Sequence, residues 1–237
     1  MATLLDQQVL QALHPAEFMH TLPFPWHEFE RLLTSEGFAT LREEFPETEK
    51  FEAHQGIRRA HDQRPHDRLY LAYERSIYHR KRSSGRGVIQ DSDLSLTWRQ
   101  LMKELASPAY LEAVQKLFDV DEMQVRYAWH IGGETSEVSP HVDGPAKLGT
   151  HIFYFNSPDE WDESWGGETL LLGEKGNDRQ NPEFADFADI QPISCIDNRS
   201  LLFQNKETSW HGVRSLTCPP GAQRRLFNVV FERTSLR

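Results

Sequence analysis

The apolar pattern of this chain changes period once, near Asp121, and that change constrains the fold more than any other feature. Before it, Leu4, Leu5, Val9, Leu10 and Leu13 recur at helical spacing and stop at His14-Pro15. Phe29, Leu32, Leu33, Phe38 and Leu41 predict a second helix from about His27 to Glu44. The prolines of TLPFP, Thr21 to Pro25, lead the chain into it, since each removes a backbone donor and restricts its predecessor. Helical spacing returns from Ser95 to Val120 with a break at Ser107-Pro108, which predicts two helices meeting there. After Asp121 the runs MQVRYAWHI, LGTHIFYFN, GETLLL, RSLLFQ and RRLFNVVFE are short, rich in β-branched and aromatic residues, and separated by turn formers. The expectation is a single α+β domain over residues 1–237. Residues 1–120 would be mainly helical support, and 121–237 an antiparallel sandwich or open barrel.

Composition narrows the function classes. With 237 residues, 38% of them hydrophobic and 26% charged, the chain can bury a full core, which excludes disordered, collagenous and disulfide-scaffold readings. No run approaches the length of a membrane span and the N-terminus lacks a signal-peptide pattern, so a cytoplasmic location with no membrane partner is expected. Cys195 and Cys218 are too far apart for a redox pair or a zinc knuckle. A net charge of -10 argues against a nucleic-acid partner. Charge is unevenly spread: residues 57–90 hold nine basic and three acidic residues. That segment, with Tyr70, Tyr73 and Tyr78 interleaved, is expected to form one wall of a site mouth for a polar or zwitterionic substrate, with Arg80, Lys81 and Arg82 as its basis. The acidic stretch Gly173 to Asp189 would form the other wall.

The residues with the clearest chemistry are His141 and Asp143 in SPHVDG, the one His-x-Asp/Glu among eleven histidines. One intervening residue on extended chain lets imidazole and carboxylate face the same way and meet one ion. A second histidine, His211, follows the RSLLFQ strand. Two histidines and one carboxylate on one face leave the remaining octahedral positions open, the arrangement of non-haem Fe(II) oxygenases, whereas zinc favours a closed or tetrahedral set. An arginine fork at the start of the last strand can take a carboxylate in two parallel hydrogen bonds. Strand alternation puts Arg224, Leu226, Asn228 and Val230 on one face and Arg225, Phe227, Val229 and Phe231 on the other. The second face is greasier and suits packing on helices, which favours Arg224 over Arg225 as the carboxylate ligand.

The ordered set His141-x-Asp143, Gly166-Gly167-Glu168-Thr169-Leu170, His211 and Arg224 resembles the Fe(II)/2-oxoglutarate-dependent oxygenases, most closely their prolyl-4-hydroxylase-related branch, over roughly Met123 to Glu232. The resemblance implies a double-stranded β-helix, a distorted jelly roll braced by the N-terminal helices. His141, Asp143 and His211 would hold Fe(II), and Arg224 with Tyr154 would take the far carboxylate of 2-oxoglutarate. Dioxygen would be the oxidant, ascorbate a reductant, and the outcome hydroxylation of an amino acid, peptide residue or other polar metabolite with release of succinate and CO2. His130 stands where related enzymes often place a tyrosine near the metal, which leaves substrate identity open between contact and structural roles for it. Asp143 argues against a halogenase. The alternative from another class is a non-catalytic metal-binding or sensor module on the same fold. A zinc-dependent hydrolase would need a further ligand or general base that the sequence does not supply.

Overall fold

The computed structural model describes residues 3–56, 64–77 and 86–234. Two antiparallel sheets face each other. The larger runs in the order β1 (Trp26–Phe29), β10 (Ser200–Gln204), β7 (Lys147–Tyr154), β12 (Arg224–Glu232), β5 (Gln124–Gly132), β3 (Arg68–Tyr73) and β2 (Glu52–His54), with β4 (Val88–Ile89) added parallel to β3. The smaller runs β6 (Val138–His141), β11 (Trp210–Val213), β8 (Thr169–Lys175) and β9 (Phe187–Ile193). Apart from β2–β3, β3–β4 and β8–β9, neighbours in each sheet are far apart in sequence, so the strands interleave as in a double-stranded β-helix that does not close into a barrel.

The helices brace one face of the larger sheet. Ser95 caps α4 (Leu96–Leu105) by accepting from Trp98 N, and the helix buries Trp98, Leu101, Met102 and Leu105, a three-and-four spacing that makes one apolar stripe. Ser107 caps α5 (Pro108–Phe118), whose Pro108 sits in the first turn where its missing N–H has no helical partner to lose. Both fall where the break at Ser107-Pro108 predicts. Against them the larger sheet presents Trp129, His151, Phe153 and Phe227, all fully or almost fully buried. Trp98 meets Trp129 and Phe227 edge-on at 5.2 Å each, an arrangement that suits the ring quadrupoles.

The first half departs from a purely helical reading in three places. Helix α1 (Gln7–Gln11) is shorter than its apolar stripe, because Leu4 and Leu5 leave the helix and donate their N–H groups to Glu104. A short helix α2 (Pro15–Met19) follows His14. The helix expected from His27 begins only at Ser35 as α3 (Ser35–Glu43), capped by Thr34, because Trp26 to Phe29 instead pair with β10, Trp26 opposite Phe203. A free edge of the larger sheet outweighs local helical spacing there, since each edge residue gains ladder bonds and Phe29 reaches the core. Arg68 to Tyr73, inside the basic segment, likewise forms a sheet strand beside β5. In the described residues no helix is long and apolar enough to cross a membrane.

Candidate functional site

Between the sheets lies a cavity of about 270 Å³. Its two sides come from residues that alternate off strands whose other faces are core. On β12 the cavity takes Arg224, Leu226, Asn228 and Val230, while Phe227, Val229 and Phe231 pack with the helices. That is the division the alternation predicts. The register is pinned where β12 begins: Asn156 accepts from Arg225 N at 2.7 Å and donates to Gln223 O at 2.7 Å.

His141 on β6 lies directly opposite His211 on β11, their rings 4.3 Å apart. Gly212 permits this, since a Cβ there would stand 2.6 Å from Val138 O. Ligand atoms of His141, Asp143 and His211 all lie within 4.8 Å of one another. Each histidine spends Nδ1 on a carbonyl two residues earlier, His141 on Ser139 O at 3.0 Å and His211 on Ser209 O at 2.9 Å. A carbonyl only accepts, so Nδ1 carries a proton and Nε2 is the nitrogen left for the cluster. Burial alone would raise the Asp143 pKa, but Lys147, whose Nζ bonds Oδ1 at 2.6 Å, together with His211 and His141, holds it well below the ordinary carboxylate range. The loop carrying Asp143 is tied down by Asn205, which donates to the carbonyls of Asp143, Gly144 and Lys147.

Two imidazole Nε2 atoms and an ionised carboxylate on one side of a cavity are a donor set that suits a ferrous ion with open positions. Across the cavity, Arg224 is only 5% exposed and takes part in no ion pair among the described residues. Its Nε donates to Gly167 O at 2.6 Å and Nη2 to Thr169 Oγ1 at 3.3 Å. A buried guanidinium without an acidic partner is costly, and an anionic ligand resolves that cost. Gly167, at φ +101°, lets the chain turn against it, for a Cβ would lie 3.1 Å from Arg224 Cδ. Tyr154 stands behind Thr169: its hydroxyl donates to Thr169 Oγ1 at 2.7 Å and its ring lies under the guanidinium at 5.4 Å. Burial raises the Tyr154 pKa, so the hydroxyl stays a donor despite Arg224. Sequence reasoning gave Thr169 no role of its own; its signal was its place just after the Gly166-Gly167 turn, at the start of β8.

Arg225 faces the other way, bonding Glu160 at 2.6 Å and lying over Phe45. His130 lines the cavity outside the triad and meets Tyr70 edge-on at 5.2 Å. Burial, then the charges of Arg68, Arg126, Lys147 and His54, hold it well below its usual pKa, so it is a neutral ring. His66, also unforeseen, is buried beside His141 with ring centroids 5.6 Å apart. Of the basic segment, His66, Asp67, Arg68, Tyr70 and Ile77 reach the cavity wall. Tyr73 packs edge-on against Tyr127, whereas Tyr78, Arg80, Lys81 and Arg82 lie outside the described residues. No residue of 173–189 is part of the wall; that loop meets the basic segment through Glu183, which pairs with Arg64, itself paired with Glu137 at 2.6 Å.

Residues 123–232 match the family model described as the 2OG-Fe(II) oxygenase superfamily. No curated protein sequence matches the chain. Among solved structures, a Pseudomonas putida prolyl-4-hydroxylase aligns at 11% identity over 92% of this chain and 99% of that one, with a TM-score of 0.61. A Trichoplax adhaerens prolyl hydroxylase, in complex with a hypoxia inducible factor oxygen degradation domain peptide fragment, aligns at 14% identity over 95% and 90%, TM-score 0.59. HygX from Streptomyces hygroscopicus, with nickel and 2-oxoglutarate bound, aligns at 11% identity over 89% and 83%, TM-score 0.55. At these identities the structures speak to fold. Together with the match over 123–232, they bear out the resemblance: the chain has a double-stranded β-helix similar to that of the 2OG-Fe(II) oxygenase superfamily.

Proposed function

We propose that the chain is a single-domain Fe(II)- and 2-oxoglutarate-dependent dioxygenase that hydroxylates a C–H bond of an amino acid, a peptide residue or another polar metabolite. The observation that carries this is the pairing, across one cavity, of the His141, Asp143 and His211 cluster with a buried Arg224 that has no acidic partner among the described residues. The Trichoplax structure, with its peptide, supports a peptide residue as one substrate class.

In this reading Nε2 of His141 and His211 and the carboxylate of Asp143 hold the ferrous ion. Bound iron supplies, with 2-oxoglutarate and dioxygen, the oxidative decarboxylation that yields succinate and CO2 and places one oxygen atom on the substrate; ascorbate serves as a reductant. The chain's own part is positional. Arg224 and Thr169 take the far carboxylate, with Tyr154 fixing Thr169 by its hydrogen bond and supporting the guanidinium through its ring. Ile152 and Leu226 wall the space between the two ends and exclude water from it. Aerobic incubation with Fe(II), 2-oxoglutarate and ascorbate, following succinate, tests the reading. Succinate that requires all of Fe(II), 2-oxoglutarate and His211 supports it; none under any metal leaves a binding module.

A further inference from the structure

The cavity floor holds two polar side chains that the metal and co-substrate roles leave unused. Thr150 on β7 is 4% exposed and its Oγ1 has no hydrogen-bond partner among the described residues; Asn228 on β12 has a buried Oδ1 in the same condition. Both line the cavity, with Ile152, Leu226, Val230 and Phe203 around them and Arg126 and His130 diagonal to Asn228 on β5. Thr150 and Asn228 sit diagonally on adjacent strands, Asn228 opposite Ile152 and Thr150 opposite Val230, so one ligand atom can serve both. Their place is toward the metal end: Phe203, opposite Thr150, packs on the His211 ring at 4.7 Å. Arg224 stands four residues from Asn228 along β12, at the other end. A buried polar atom without a partner destabilises the fold that keeps it, and apolar residues of the same shape would remove that cost.

We propose that Asn228 and Thr150 form a hydrogen-bonding subsite for the organic substrate, recognising a neutral N–H or O–H group, an amide or a hydroxyl, close to the reacting carbon. This rests on the oxygenase reading. The co-substrate is already served at both ends, by Arg224 and Thr169 and by the metal cluster, so the unmatched oxygens of Thr150 and Asn228 between them belong to another ligand. Asn228 Oδ1 selects a donor, which a carboxylate or an aliphatic chain does not offer.

The test uses protein loaded with Mn(II) and 2-oxoglutarate, with acetamide and N,N-dimethylacetamide as probes, reading relaxation of their methyl protons by the bound ion. Acetamide is expected to be relaxed and dimethylacetamide, which has no N–H, not. In Thr150→Val and Asn228→Leu the acetamide affinity drops about fivefold, the effect of one neutral hydrogen bond, while melting temperature holds or rises. If Asn228→Leu does not fold, the isosteric Thr150→Val decides alone. Equal relaxation of both probes, no relaxation of acetamide, or variants that keep it would overturn the proposal and assign these atoms to bound water only. A parallel loss of 2-oxoglutarate affinity in the variants would overturn it in favour of a co-substrate role. Failure of the unmodified protein to bind Mn(II) and 2-oxoglutarate strikes the oxygenase reading itself, and this inference falls with it.

Discussion

The two faces of the larger sheet are made by the same strands and do opposite things. On the helix side, polar groups are buried among aromatic rings and can be matched within the protein, although the indole N–H groups of Trp98 and Trp129 and Gln204 Oε1 find no partner among the described residues. His151 is the clearest case: its ring lies 4.2 Å from Phe153, Nδ1 meets the Tyr110 hydroxyl at 2.8 Å, and Nε2 meets Ser200 Oγ at 3.1 Å. On the cavity side, among the described residues, Arg224 keeps a buried charge with no acid paired to it, and Thr150 and Asn228 keep unmatched oxygens. His141 and His211, on the facing sheet, likewise use one nitrogen on the backbone and direct the other at a carboxylate. The difference teaches where to look for function in a sheet protein: on the face where a buried charge and converging ligand atoms wait for a partner that packing does not supply.

The contrast can be broken at its largest expected effect through His151. Burial holds its pKa at about 3 against 6.5 for a free ring, so the folded state needs it neutral. That stability is fully present above pH 6.5 and is lost as pH falls from there through about 3, on the order of 5 kcal/mol in all. His151→Gln should flatten this acid limb in urea titrations at several pH values; an unchanged pH slope would contradict it. Next, Phe227→Ala should cost about 3 to 5 kcal/mol, because its fully buried ring touches Trp98 and Trp129, and thermal unfolding should show it. Arg224→Met on the opposite face should leave unfolding nearly unchanged or improve it, yet weaken 2-oxoglutarate binding by about 2 to 5 kcal/mol in calorimetry. Equal stability losses for Phe227→Ala and Arg224→Met would erase the distinction between the faces. The smallest effect belongs to Asn205→Ala, which frees the Asp143 loop and should lower metal affinity roughly tenfold, measured by competition with a chromogenic chelator.

What was legible in the sequence divides along similar lines. The five apolar runs after Asp121 are strands because each alternates or stays greasy over a strand's length, and the inward turn of Arg224 followed from that alternation alone. His141, Asp143 and His211 were legible because their types and order are rare together. Trp26 to Phe29 misled, since an edge strand takes its conformation from β10, a partner far away in sequence. Strand β9 began inside a stretch read as acidic linker, and its pairing with β8 decides it. Thr169 stood in the Gly-Gly set with no role assigned, Asn228 fell on the Arg224 face by alternation, and Thr150 carried no local signal: a threonine in a strand is ordinary, and only the opposing sheet makes its hydroxyl consequential.

The central claim, that three side chains distant in sequence hold one ferrous ion, is most directly tested by anaerobic equilibrium dialysis with Fe(II) on the purified chain and on the variant with His141, Asp143 and His211 all replaced by alanine. The unmodified chain should retain about one ion per molecule and the variant none, with both still folded by circular dichroism. Undiminished iron retention by the variant would contradict the account.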